Sequence, residues 1–130
     1  MNPLAGPWKD AFIDIDRASE FTGDDVDQIS KLVDLGGNYQ DLMVMVPTIT
    51  SAVVSVMTQE SDKADGTNEI PLAINILDDD ATGHFVHGTT AGTGGFYIVF
   101  HIGGAQYIRI KAAANQGADR TFRVRGIEKL

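Results

Sequence analysis

Three histidines, eighteen acidic groups and a glycine-rich run are the residues of this 130-residue chain whose types could do chemistry. His84, His87 and His101 offer imidazole nitrogens, but a zinc centre needs ligands that converge and partners behind them to orient the rings. On a strand, His84 and His87 stand three apart and point to opposite faces, and His101 takes an ordinary strand position. Calcium is the better metal candidate, because a hard cation favours clustered carboxylate oxygens. Asp24, Asp25, Asp27, Asp62, Asp65 and the run Asp78-Asp79-Asp80 supply those. The loop at Asp62 has Ala64 where an Asp-x-Asp-x-Asp-Gly pattern needs a ligand, so the acidic loops read as hydrated surface. No metal and no cofactor is expected.

The run from Gly88 to Gly95 has the glycines of a phosphate-binding loop without its lysine, and it leads into a strand rather than a helix. No Gly-x-Ser-x-Gly elbow is present, and only Ser19, Ser30, Ser51, Ser55 and Ser61 could act as serine nucleophiles. Cysteine is absent, which removes thiolate chemistry, disulfides and cysteine-bound zinc together. A pair of glycosidase carboxylates is defined by separation in space rather than in sequence, and a chain this short with one tryptophan offers little material for the cleft they need. The residues read as those of a non-enzyme.

Charge says more about partners. The net −8 divides into −12 over residues 1–80, where four cations face sixteen acidic groups, and +4 over residues 81–130, where six cations face two. Overall acidity argues against nucleic acid, whose affinity comes largely from many Lys and Arg contacts to phosphate. The longest apolar stretch, Leu42 to Val46, is too short to cross a bilayer, and the amino terminus has neither the basic patch nor the apolar run of a secretory signal.

The elements that must carry these residues are strands. Pro3, Gly6 and Pro7 around Trp8 resist helix and ladder pairing, so residues 1–10 read as an extended arm, either a frayed terminus or a strap with Trp8 anchored on a neighbouring subunit. Alternation then predicts a strand over Phe12 to Asp16, a hairpin turning at Gly36-Gly37-Asn38 before Leu42 to Val46, a strand within Ile49 to Met57, and another from Ile70 through Leu72, Ile74 and Ile76. Toward the carboxyl terminus, Phe96, Ile98, Phe100 and Ile102 share one strand face. Gly103-Gly104 turns the chain; Ile108 and Ile110 point inward from the next strand, and Phe122 and Val124 from the last. No apolar helical stripe persists. The expected fold is all-β, an antiparallel two-sheet β-sandwich, jelly-roll-like, of about eight strands over residues 11–130.

In Gln106-Tyr107-Ile108-Arg109-Ile110 and Ala118-Asp119-Arg120-Thr121-Phe122-Arg123-Val124-Arg125-Gly126 the chain resembles small all-β virion structural proteins of tailed bacteriophages, with a weaker echo over Leu35 to Val56. The resemblance implies a non-enzymatic capsid decoration or cement protein. Such a protein is made in the host cytoplasm and bound as a homo-oligomer, with a trimer favoured, to the major capsid protein lattice on the virion exterior. It leaves a tail-associated receptor or carbohydrate module and a head–tail completion component as rivals; a sugar-binding module would use Trp8, Tyr39, Tyr97 and Tyr107. The residues expected to face a partner are Arg109, Lys111, Arg123 and Arg125, outward on the last strands, with Trp8 and Phe12 as anchors, since interfaces concentrate energy in arginines and aromatics. The alternative is that this basic face pairs with acidic residues of the same fold.

Overall fold

A computed structural model describes residues 5–18, 25–59, 72–73, 76–77, 85–86 and 89–128. The chain is all-β, with no helix among the described residues. Strands run β1 (Lys9–Ile13), β2 (Val33–Val46), β3 (Val54–Gln59), β4 (Leu72–Ala73), β5 (Ile76–Leu77), β6 (Phe85–Val86), β7 (Phe96–Ala112) and β8 (Arg120–Ile127). Six form one antiparallel sheet in the order β1-β8-β2-β7-β3-β4, and β5 pairs with β6. Of the strand expected from Ile70 to Ile76, the described residues fall in β4 and β5, which have different partners; Ile70 and Ile74 lie outside the described residues.

Alternation places the core. Ala11 and Ile13 of β1, Leu42, Val44 and Val46 of β2, Val54 and Val56 of β3, Phe100, Ile102, Ile108 and Ile110 of β7, and Phe122 and Val124 of β8 all pack into one apolar cluster. Burying each of these side chains other than Ala11 stabilises the fold by about 1.5–3 kcal/mol. β-Branched residues predominate in this set and suit a pleated, half-buried surface.

β1 starts at Lys9 and ends at Ile13, several residues earlier than the strand expected over Phe12 to Asp16. Asp14 ends it: the Asp16 amide donates to Asp14 Oδ1 (3.0 Å) and the Arg17 amide to the Asp14 carbonyl (3.3 Å), a turn the short carboxylate favours over continued pairing. The expected arm, residues 1–10, therefore includes the start of an edge strand. Residues before it are also docked, because Ala5 bridges Ile127 and the Gly6 amide donates to the Gly126 carbonyl (2.8 Å).

Neither expected turn, at Gly36-Gly37-Asn38 or at Gly103-Gly104, reverses the chain. Both lie inside long strands, β2 of 14 residues and β7 of 17, that pair with each other on both sides of the glycines. Gly36 (φ 78°), Gly103 (φ 61°) and Gly104 (φ 94°) take left-handed backbone that a side chain would strain. Register between the strands slips there, between Asp34 and Tyr39 and again before Asp41. A bulge bends both strands together while each half keeps its ladder partner. Asp34 Oδ1 fastens the bend by accepting from the Gly36 amide (2.8 Å) and Gln106 Nε2 (3.0 Å), and Asn38 Nδ2 donates to the Gly104 carbonyl (2.8 Å). The Gln106 bond, then the Gly36 bond, hold the Asp34 carboxyl below its ordinary value. Beyond the bend the sheet curls far enough for the Lys31 amide to donate to the Phe12 carbonyl of β1 (2.9 Å).

Candidate functional site

On one side of the bend, the outward positions of four neighbouring strands form an open face. The register sets Asp10 beside Arg123, Arg123 beside Met45, and Met45 beside Tyr97; one step along, Arg125, Met43 and Val99 lie in line. Their neighbours Val124, Leu42, Val44 and Phe100 are buried, so alternation sends these side chains the other way. Tyr97 and Val99 remain 59% and 47% exposed, so this face holds two of the three large apolar side chains that the described residues leave in water, the third being Phe96 at the start of β7.

The segment before β1 folds back over that face. Arg125 Nε donates to the Gly6 carbonyl (3.1 Å), and the guanidinium carbons of Arg125 and Arg123 lie 5.0 and 5.8 Å from the Trp8 ring centre, within cation–π range. Trp8 also meets Tyr97, with centroids 6.4 Å apart and planes tilted by 53°. On the core side, an added Cβ at Gly126 would run into the Tyr39 ring, and Tyr39 also lies against Gly6. Between Trp8, Met45, Tyr97 and Arg123 is a cleft of about 170 Å³. A second hollow of about 340 Å³ continues past Tyr97 and Met45 toward Pro47 and Phe96. Arg123 Nε is 3.0 Å from Asp10 Oδ1.

Three of the six residues expected at a partner surface, Trp8, Arg123 and Arg125, are thus brought together. Phe12 lies next to them on β1, opposite Thr121, half-buried beneath the Lys31 ammonium at 5.7 Å. Lys111 stands beyond the bend, half-buried beside Ser55. Arg109 does not face outward to a partner: it is wholly buried, donating to the Ser30 carbonyl (3.1 Å) and reaching Gln59 Oε1 at 3.5 Å. Ser30 and Gln59 are buried as well, so in this half of the sheet both faces of β7 are covered. No local residue pattern marks that cover. Met43, Met45 and Val99, by contrast, occupy outward positions that alternation alone marks.

The remaining chemistry-bearing residues do not converge with this face. His101 pairs across the ladder with Asp41, Nδ1 to Oδ1 2.9 Å, and is exposed; His84 and His87 lie outside the described residues. Of the calcium candidates only Asp25 and Asp27 are described, and Asp25 Oδ1 is engaged by the Asp27 amide (3.1 Å). A different trio gathers instead, Asp14, Asp16 and Asp119, with carboxylate oxygens within 4.8 Å of one another. Two of these carboxylates accept backbone amides, from Asp16 and Ile15, and Lys31 lies 3.8 Å from Asp14. The stretch from Thr89 to Gly95 is bound into the fold by backbone bonds to Val46, Ile49, Ala52 and Val54.

The arrangement suits non-covalent docking: an aromatic and thioether floor, two guanidinium heads and an open approach. No described protein family, no curated protein and no solved structure matches this chain.

Proposed function

We propose that this protein is a non-enzymatic structural protein of a tailed-phage virion, one that binds the capsid exterior and stabilises it, and that the open face around Trp8 is its docking surface. The observation that carries the reading is the assembly of Trp8, Tyr97, Arg123 and Arg125 on the exposed side of the sheet. Arginine and aromatic side chains on a shared patch are the usual energetic centre of protein interfaces. The resemblance in the last third of the chain supplies the lattice and the trimeric arrangement. As to the fold, the bent strands favour a two-layered sandwich. Core residues from both sides of the bend share one cluster, and corner-turning strands with bulges are how such layers are joined.

The test is sedimentation of the purified protein with empty capsids. The reading expects saturable binding, a rise in capsid thermal stability, and loss of binding when residues 1–8 are removed while the domain still folds. The proximity of Trp8 and Tyr97 also favours a second reading, stacking on a sugar ring. Failure on capsids with specific binding on a glycan array would select that reading instead.

A further inference from the structure

We infer that the cationic patch receives an extended, acidic segment of the partner protein, with carboxylates at alternate positions; this rests on the reading of the open face as a protein-docking surface. Arg123 and Arg125 are two residues apart on β8, so their stems leave the sheet on one side about 6.6 Å apart. An extended peptide lying along β8 presents its own alternate side chains at the same spacing. A Glu-x-Glu segment therefore meets both guanidiniums in register.

The donors are available. Arg125 uses Nε on Gly6 and Arg123 uses Nε on Asp10. Among the described residues the terminal nitrogens of both have no partner, leaving the two-pronged edge that a carboxylate takes bidentately. Trp8 stacks against both heads, which holds them in place before the partner arrives and lowers the ordering cost of binding. The cleft beside them, floored by Met45 and Tyr97, admits an apolar side chain two positions from an acid, on the same face of the segment. A net charge of −8 repels an acidic partner from most of the molecule, so the arginine pair also fixes where it lands. Asp10, held at Arg123 Nε, repels the incoming carboxylate at the terminal nitrogens and so weakens its binding.

Trp8 is the sole tryptophan, and its fluorescence reports on the patch directly. The probe is a synthetic peptide of alternating glutamate and threonine with one central leucine. Its controls are the glutamine counterpart, an acidic peptide with paired adjacent glutamates, and a short oligogalacturonate. The inference expects saturable quenching by the alternating acidic peptide alone, weakening by about tenfold for Arg123→Gln or Arg125→Gln, and tightening of a few fold for Asp10→Asn. Equal response to the adjacent-glutamate peptide, preference for the oligogalacturonate, or indifference to all three substitutions overturns it. If capsids bind normally while the peptide does not, the acidic-segment inference fails and the docking face stands. If the peptide binds as expected and capsids do not, the capsid reading fails alone.

Discussion

Arg125 and Arg109 both occupy outward positions between buried apolar neighbours, yet one guanidinium lies on Trp8 at the surface and the other is sealed inside the chain. β7 shows the same contrast along its own length. Its odd-numbered residues from Tyr97 to His101 face water, while Arg109, on the same parity beyond the bend, is covered. Alternation assigns a side chain to a face of the sheet; whether that face meets solvent, another segment or a partner depends on what the rest of the chain lays across it. The covered half uses its arginine to satisfy internal carbonyls, and the open half keeps two arginines free to meet something else.

Substitution separates the two halves most strongly in stability. Arg109→Ala leaves the Ser30 carbonyl and Gln59 short of a buried donor and opens a cavity, and should cost about 3 kcal/mol or more in urea unfolding. Arg125→Ala should cost less than about 1 kcal/mol. Equal losses would erase the distinction between a structural and a docking arginine.

Next in size is Gly126→Ala, which pushes against the Tyr39 ring under the Trp8 segment and should destabilise by about 1–3 kcal/mol. Combined with Tyr39→Ala it should cost less than the two single losses added, as expected of residues in contact. Additive losses would separate the glycine from the ring.

The open half should respond to charge rather than to denaturant. Arg123→Glu with Arg125→Glu should slow association with capsids by about tenfold at low ionic strength, and the difference should fade at about 1 M salt as screening shortens. Unfolding should shift by no more than about 2 kcal/mol, less than for Arg109→Ala. An unchanged association rate would remove the electrostatic role of this face.

The smallest effect concerns the bend that separates the halves. Asp34 is held below its ordinary pKa by Gln106 and the Gly36 amide, so its stabilising contribution is full above the ordinary carboxylate range and is lost as pH falls through the lowered value. Gln106→Leu should raise the Asp34 pKa toward normal in an NMR titration and narrow that acid-sensitive window. An unmoved titration would mean that Gln106 does not hold the bend's carboxylate.

Much of the fold was readable because period-2 burial is a local property. Phe122 and Val124 inside with Thr121 and Arg123 outside, Phe100 and Ile102 inside with Tyr97 and Val99 outside, and Val54 and Val56 inside all follow from alternation. The glycine pairs misled, because Gly-Gly reads equally as a reversal or as a bulge, and only the presence of a continuous partner strand chooses the bulge. The site was half legible for the same reason. Arg123 and Arg125 sit on one strand, so their common face was fixed by spacing, whereas Trp8 and Tyr97 are 89 positions apart and meet only through the sheet order β1-β8-β2-β7.

By itself, then, the sequence determined the all-β class, the inward set of each long strand, the division of charge between acid-rich and basic parts, and the lack of thiol chemistry, since composition and two-residue periodicity need no distant contact. Only the tertiary structure decided that β2 lies between β7 and β8, that the glycines bend rather than reverse the chain, that Arg109 is enclosed, and that Trp8 rests on Arg123 and Arg125. Each of these depends on pairing between segments far apart in the chain, and local residue pattern carries no energy term for a partner strand that has yet to arrive.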